Sequence, residues 1–138
     1  MITKDSNFHK LHETDRFILG YVFEDAYLIN KKNAKEIYLG DFYGDPTCGL
    51  ISEENNWCVA AGERLSIWKE GGNISIIKDD NLYWACQIRQ TAPYEVELLI
   101  DASWSDKGSV WSFNINTFER HKLKDLIIDD GNSEEVSW

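Results

Sequence analysis

The residues able to do chemistry are scattered along the chain: Cys48, Cys58 and Cys86, His9, His12 and His121, and 24 Asp and Glu residues in a total of 138. A thiol nucleophile needs an imidazole to take its proton, and a zinc site needs closely spaced ligands such as C-x-x-C. No cysteine here has a histidine beside it, and no C-x-x-C occurs. Cys58 and Cys86 lie near tryptophans in apolar runs, which suits reduced core thiols, while Cys48 sits in a turn-rich loop open to exposure. His9 and His12 stand three apart beside Glu13, as two ligands on a helix face would, but a polar helix face accounts for them without a third ligand. Glu95 and Glu97 share one face of an expected strand, an arrangement that any solvated strand also shows. No G-x-S-x-G, P-loop, dinucleotide fingerprint or H-E-x-x-H is present. The chain reads as a non-enzyme with no metal and no cofactor.

The charge carries more information. The formal net charge is −10, with six acids and six bases in residues 1–40 against eighteen acids and eight bases in residues 41–138. A surface of this sign repels nucleic acid and anionic membrane and attracts a basic protein. At 138 residues, with 43% hydrophobic and 13% aromatic composition, a single domain over 1–138 can bury a core without disulfides or metal. The first residues, Met1 to Asn7, lack the apolar stretch of a signal peptide, and no run is long enough to span a membrane, so a cytoplasmic location is expected.

The elements that would position these charges are strands. The central stretch from Gly40 to Lys69 begins with the turn formers Gly40-Asp41 and Tyr43-Gly44-Asp45-Pro46 and a polar loop, Ser52 to Asn56. It ends in a hairpin, Trp57–Ala61 and Leu65–Trp68, broken at Gly62-Glu63. Before it, residues 7–18 suggest a helical turn or two, 17–23 a buried strand, and 25–41 a hairpin, with a helix over 27–39 as the alternative. After it, strands are expected at 74–77, 82–89, 94–100 and 109–115, and a strand pair or short helix at 117–128 before an acidic tail. The fold class is therefore mostly β: antiparallel sheets built from hairpins, sandwich or partial-propeller-like, with at most one or two short helices.

Trp57, Trp84 and Trp111 recur every 27 residues. A four-stranded propeller blade takes about 40–45 residues, so the spacing reads more simply as hairpins of similar length than as a true repeat.

The stretches GDFYGDPTCGL and NNWCVAAGERLSIW, with the size, the acidity and the missing catalytic motifs, give the chain a resemblance in general character to the immunity proteins of bacterial contact-dependent growth inhibition and related polymorphic toxin systems. That resemblance implies an inhibitor that binds a cognate toxin, often a basic nuclease, and occludes its active cleft. From the residues themselves, the turn carboxylates Asp41, Asp45, Glu53, Glu54, Asp79 and Asp80 are the expected anionic surface, and the loop aromatics Tyr43 and Trp104 the expected anchors. The alternative is a small-ligand-binding β protein whose tryptophans and tyrosines line a pocket for a sugar or similar ligand.

Overall fold

The computed structural model describes residues 2–100 and 108–126. Twelve strands run in chain order: β1 (Phe8–Glu13), β2 (Phe17–Val22), β3 (Asp25–Asn30), β4 (Glu36–Asp41), β5 (Cys48–Ile51), β6 (Trp57–Ala61), β7 (Leu65–Lys69), β8 (Asn73–Ile77), β9 (Ala85–Ala92), β10 (Glu95–Ile100), β11 (Gly108–Asn114) and β12 (Arg120–Leu126). They form three antiparallel four-stranded meanders, β1 to β4, β5 to β8 and β9 to β12, each with every strand paired to its sequence neighbour. Among the described residues helical structure is confined to two 3-10 turns, Ile2–Lys4 and Asp80–Leu82. Among the described residues no helix is long and apolar enough to cross a membrane.

An up-and-down sheet of four strands is the unit of a propeller blade. The three sheets stand side by side, with β5 packed against β1 on one flank and β9 on the other. Their first strands begin at Phe8, Cys48 and Ala85, 40 and 37 residues apart. The chain is thus internally repetitive at about blade length, and the tryptophan spacing is not its mark. Trp57 opens β6, Trp84 precedes β9 and Trp111 lies in β11, three unrelated places in the unit.

Strands β6 and β7 of the middle sheet are buried on both faces, which explains their near-absence of charge. On β6 and β7, Trp57, Val59, Ala61, Leu65 and Ile67 face the third sheet, where they meet Val96, Leu98, Ile100 and Phe113. Their alternates Cys58, Ala60 and Trp68 face the first sheet and meet Phe17, Leu19, Ala26, Leu28 and Leu39. Phe17 and Trp68 pack edge to face, with ring centroids 5.4 Å apart. Ser66, fully buried, donates its hydroxyl to the Leu39 carbonyl and so ties β7 to β4.

Three expectations need correction. Residues 7–18 form no helix but β1 and the start of β2, because β1 carries a bulge between Lys10 and His12 that breaks the alternation a strand normally shows. Cys48 is not in a loop: it belongs to β5, its Sγ lies 3.4 Å from the Ala85 carbonyl, and burial pushes its thiol up to about 12. Of the segment 117–128, the described residues 117–126 supply one strand, β12, rather than a strand pair or a helix. The hairpin over 25–41 forms as β3 and β4, not as a helix. Asn30 and Asn33 accept the Lys32 and Lys35 amides at 2.9 Å each, closing the turn between them.

Candidate protein-binding surface

Because the strands alternate in direction, the connections sort onto two ends of the arc. One end gathers the β2–β3 turn, the β4–β5 connection, the β6–β7 turn and the β8–β9 connection. Hydrogen bonds knit these together. The Gly44 amide donates to Glu24 Oε2 at 2.7 Å, the Tyr43 amide to Glu63 Oε1 at 3.2 Å, the Phe42 amide to the Glu24 carbonyl at 2.8 Å, and the Trp84 amide to the Gly62 carbonyl at 2.6 Å. The opposite end gathers the β1–β2, β5–β6 and β9–β10 turns, joined by Thr14 Oγ1 to Asn55 Oδ1 at 2.6 Å and Asn56 Nδ2 to the Tyr94 hydroxyl at 3.1 Å.

The carboxylates expected to act together are divided between these ends. Asp41, Asp45, Asp79 and Asp80 share the first end with Tyr43, which is 76% exposed. Glu53 and Glu54 lie at the other, beside a shallow 160 Å³ cleft shared with Gln90 and Pro93. Trp104 lies outside the described residues. Asp79 is already engaged: it accepts the Asn81 amide as the cap of a 3-10 turn and pairs with Arg120 at 2.9 Å. Asp41, Asp45 and Asp80 are exposed.

The structure adds residues that the sequence pattern did not single out. Glu24, Asp25 and Glu63 bring further carboxylates to the first end, where Arg64 pairs with its neighbour Glu63. The phenols there register the local field. Tyr38 donates to Asp25 Oδ1 at 2.9 Å and is pushed up to about 12, first by burial of its hydroxyl, then by Asp25 and Asp41. Tyr21 is raised by burial and then by Asp45, and Tyr83 by burial and then by Asp80.

Phe23 is the most informative addition. It sits in the two-residue β2–β3 turn at φ +53, a backbone region that suits glycine and disfavours a bulky side chain, and its ring is 64% exposed. An aromatic held in strained backbone and presented to solvent does nothing for the core. Phe23, Tyr38 (50% exposed) and Tyr43 thus stud an acidic end with apolar surface. The signal was available in the sequence: Val22-Phe23-Glu24-Asp25 lacks the Gly or Asn that such a turn favours.

Three of the tryptophans proposed for a pocket serve the cores instead, whereas none of the tyrosines is buried. Trp57 is fully buried, Trp68 is 5% exposed, and Trp111 packs on the cluster between the second and third sheets. Among the described residues a cleft of 370 Å³ opens at the second end, lined by Asn56, Trp57, Lys69, Glu70, Tyr94 and Asn116. No grouping of three or more His, Cys, Asp or Glu among the described residues has the geometry to hold a metal ion.

No family model matches the chain, and no curated protein matches it. Among solved structures it is similar to Kuenenia stuttgartiensis hydrazine synthase, with a TM-score of 0.59 and 15% sequence identity. The likeness covers 82% of this chain and 34% of that one, so the chain spans about a third of that structure's length. It is a likeness of fold, in keeping with repeated four-stranded sheets.

Proposed function

We propose that the chain is a protein-binding module that captures a basic partner through its acidic, aromatic-studded end, and that it serves as an immunity protein neutralising a toxin domain. A nuclease toxin needs a cationic cleft to hold phosphates. Asp41, Asp45, Asp80 and Glu24 would enter that cleft in place of nucleic acid, speeding encounter by long-range attraction. Phe23 and Tyr43 would supply the apolar contacts that hold the complex. The observation that carries this reading is the exposure of Phe23 among carboxylates: at 64% exposed it contributes little to the core, and apolar surface set in an acidic rim is what a basic protein partner would bury.

The test is a pull-down from the source organism's lysate, together with co-expression of the product of the adjacent upstream gene, at low and moderate salt. A one-to-one complex with a basic domain whose toxicity vanishes on binding, with an association rate that falls as salt rises, is the expected result. The Phe23→Ser and Tyr43→Ala variants should each lose about tenfold or more in affinity, as truncated anchors do. Recovery of no protein partner at either salt sinks the proposal.

The 370 Å³ cleft supports the small-ligand alternative, since Tyr94 offers a half-exposed ring beside Asn56, Lys69, Glu70 and Asn116, the mixture that sugars favour. A titration with mono- and disaccharides followed by tryptophan emission tests it; an unchanged spectrum counts against it.

A further inference from the structure

Each of the three sheets has an outer edge, and two of them are guarded. Unpaired edge strands are usually protected by charged side chains, because their free N–H and C=O groups accept any passing strand. The edge strand β4 carries Glu36 and Asp41, and β12 carries Arg120, His121, Lys122 and Lys124. The third edge, β8, reads Asn73-Ile74-Ser75-Ile76-Ile77 and has no charged residue. Among the described residues β8 pairs only with β7. Ile74 and Ile76 are 39% and 42% exposed on one face of it, a large exposure for β-branched apolar residues.

We propose that the free edge of β8 is a strand-addition site for an extended basic segment of the partner protein. This rests on the reading of the acidic end given above. The segment would pair its main chain with β8, set an apolar side chain against Ile74 and Ile76 at every second position, and carry its basic residues in the stretch that runs on past Ile77 to the acidic end. Two placements supply the charge preference. β8 runs directly into Lys78-Asp79-Asp80, of which Lys78 and Asp80 are exposed while Asp79 is paired with Arg120. Ile76 also lies beside Gly40, its Cδ1 3.5 Å from where a Cβ would stand, so the top of β8 borders Gly40-Asp41 at the end of β4. A second copy of this chain is a poor occupant, because each copy carries a net charge of −10.

The test uses the intact chain and two fluorescent peptides: one of valine alternating with serine that ends in three lysines, and one of equal charge in which prolines prevent strand pairing. Binding of the first alone, with slowed hydrogen exchange at the β8 amides, is expected. The Ile74→Lys/Ile76→Lys variant should weaken it about tenfold, the loss expected when two half-exposed isoleucines no longer bury against a strand. The exchange map on the unaltered protein decides the matter even if that variant folds poorly. Equal binding of both peptides, with protection at 22–25 and 41–45 and none on β8, overturns the strand-addition site while leaving the acidic end as a binding surface. Binding of neither overturns the site and counts against the reading on which it rests. Concentration-dependent dimerisation that the double variant abolishes assigns the edge to a second copy and also overturns the proposal.

Discussion

The imidazole Nδ1 of His12 accepts the backbone amide of Ile51 at 2.8 Å, a bond that joins the innermost strands of adjacent sheets, β1 and β5. An accepting Nδ1 requires the neutral ring, and burial lowers the pKa of His12 below its ordinary 6.5. A lowered folded-state pKa means that the bond's stabilisation is fully present above 6.5 and is lost as pH falls through the folded value. Urea unfolding should therefore show stability falling by about 1 kcal/mol on acidification from neutral pH, the net worth of one such hydrogen bond. The His12→Gln variant keeps an acceptor that does not titrate, so its stability should stay flat over the same window. An equal fall in both proteins would contradict the assignment. Glu13 is separate. Hydrogen bonds from Lys31 and Lys10 pull its carboxyl from 4.5 to about 2, so its contribution is lost only in stronger acid.

Phe23 trades stability for exposure. At φ +53 a phenylalanine is strained and a glycine is not, so Phe23→Gly should leave the fold unchanged or stabilise it by about 1 kcal/mol. The same substitution removes an exposed ring from the acidic end and should weaken partner binding. Thermal denaturation and binding titration of this one variant should move in opposite directions. Loss of stability would mean that the ring has a packing role that its 64% exposure belies.

Legibility in the sequence followed burial. The strands β6, β7, β10 and β11 stood out as uncharged or alternating runs because the cores on either side of the middle sheet impose that pattern. The innermost strands β1 and β5 did not. β1 has a bulge that shifts its register, and β5 is the four residues Cys48-Gly49-Leu50-Ile51, whose glycine has low strand propensity. Missing both hid the repeat, since the repeat unit begins at those strands. The carboxylates were recognisable by composition, but their division between two ends depends on strand direction, which requires every strand to be counted. Phe23 escaped notice because Phe17 to Phe23 reads as one apolar strand, which hides the turn that begins at Phe23 without the Gly or Asn such a turn favours.

At Gly49 the middle sheet lies against side chains of the first sheet with no room for a Cβ. A Cβ built on it would stand 2.6 Å from Leu19 Cδ2 and 3.1 Å from Leu11 Cδ1, inside contact distance for carbon. Gly49→Ala must push Leu19 out of a core in which it is fully buried, and overpacking of this kind costs about 1–3 kcal/mol. A lower urea midpoint with an unchanged slope is expected. The paired change Gly49→Ala/Leu19→Ala should recover little, because the freed volume exceeds one methyl and leaves a cavity of its own.

Trp57 links sheets through its polar atom as well as its ring. Its Nε1 donates to the Pro93 carbonyl at 2.8 Å, fastening the start of β6 to the turn between β9 and β10, while the ring is fully buried between the second and third sheets. Trp57→Phe removes the 2.8 Å donor, leaves the Pro93 carbonyl only the 3.5 Å contact from Gln90 Nε2 and opens a gap where the larger ring stood, at a cost of about 2–4 kcal/mol. Trp111 provides the control. Its Nε1 donates to Ser109 Oγ at 3.0 Å two residues away, within one strand and in a half-exposed setting. Trp111→Phe should therefore cost about 1 kcal/mol or less. Urea unfolding of the two variants side by side reads the difference: a gap of 1 kcal/mol or more is expected for a hydrogen bond that spans two sheets, and equal losses would show that burial of the rings alone decides the stability.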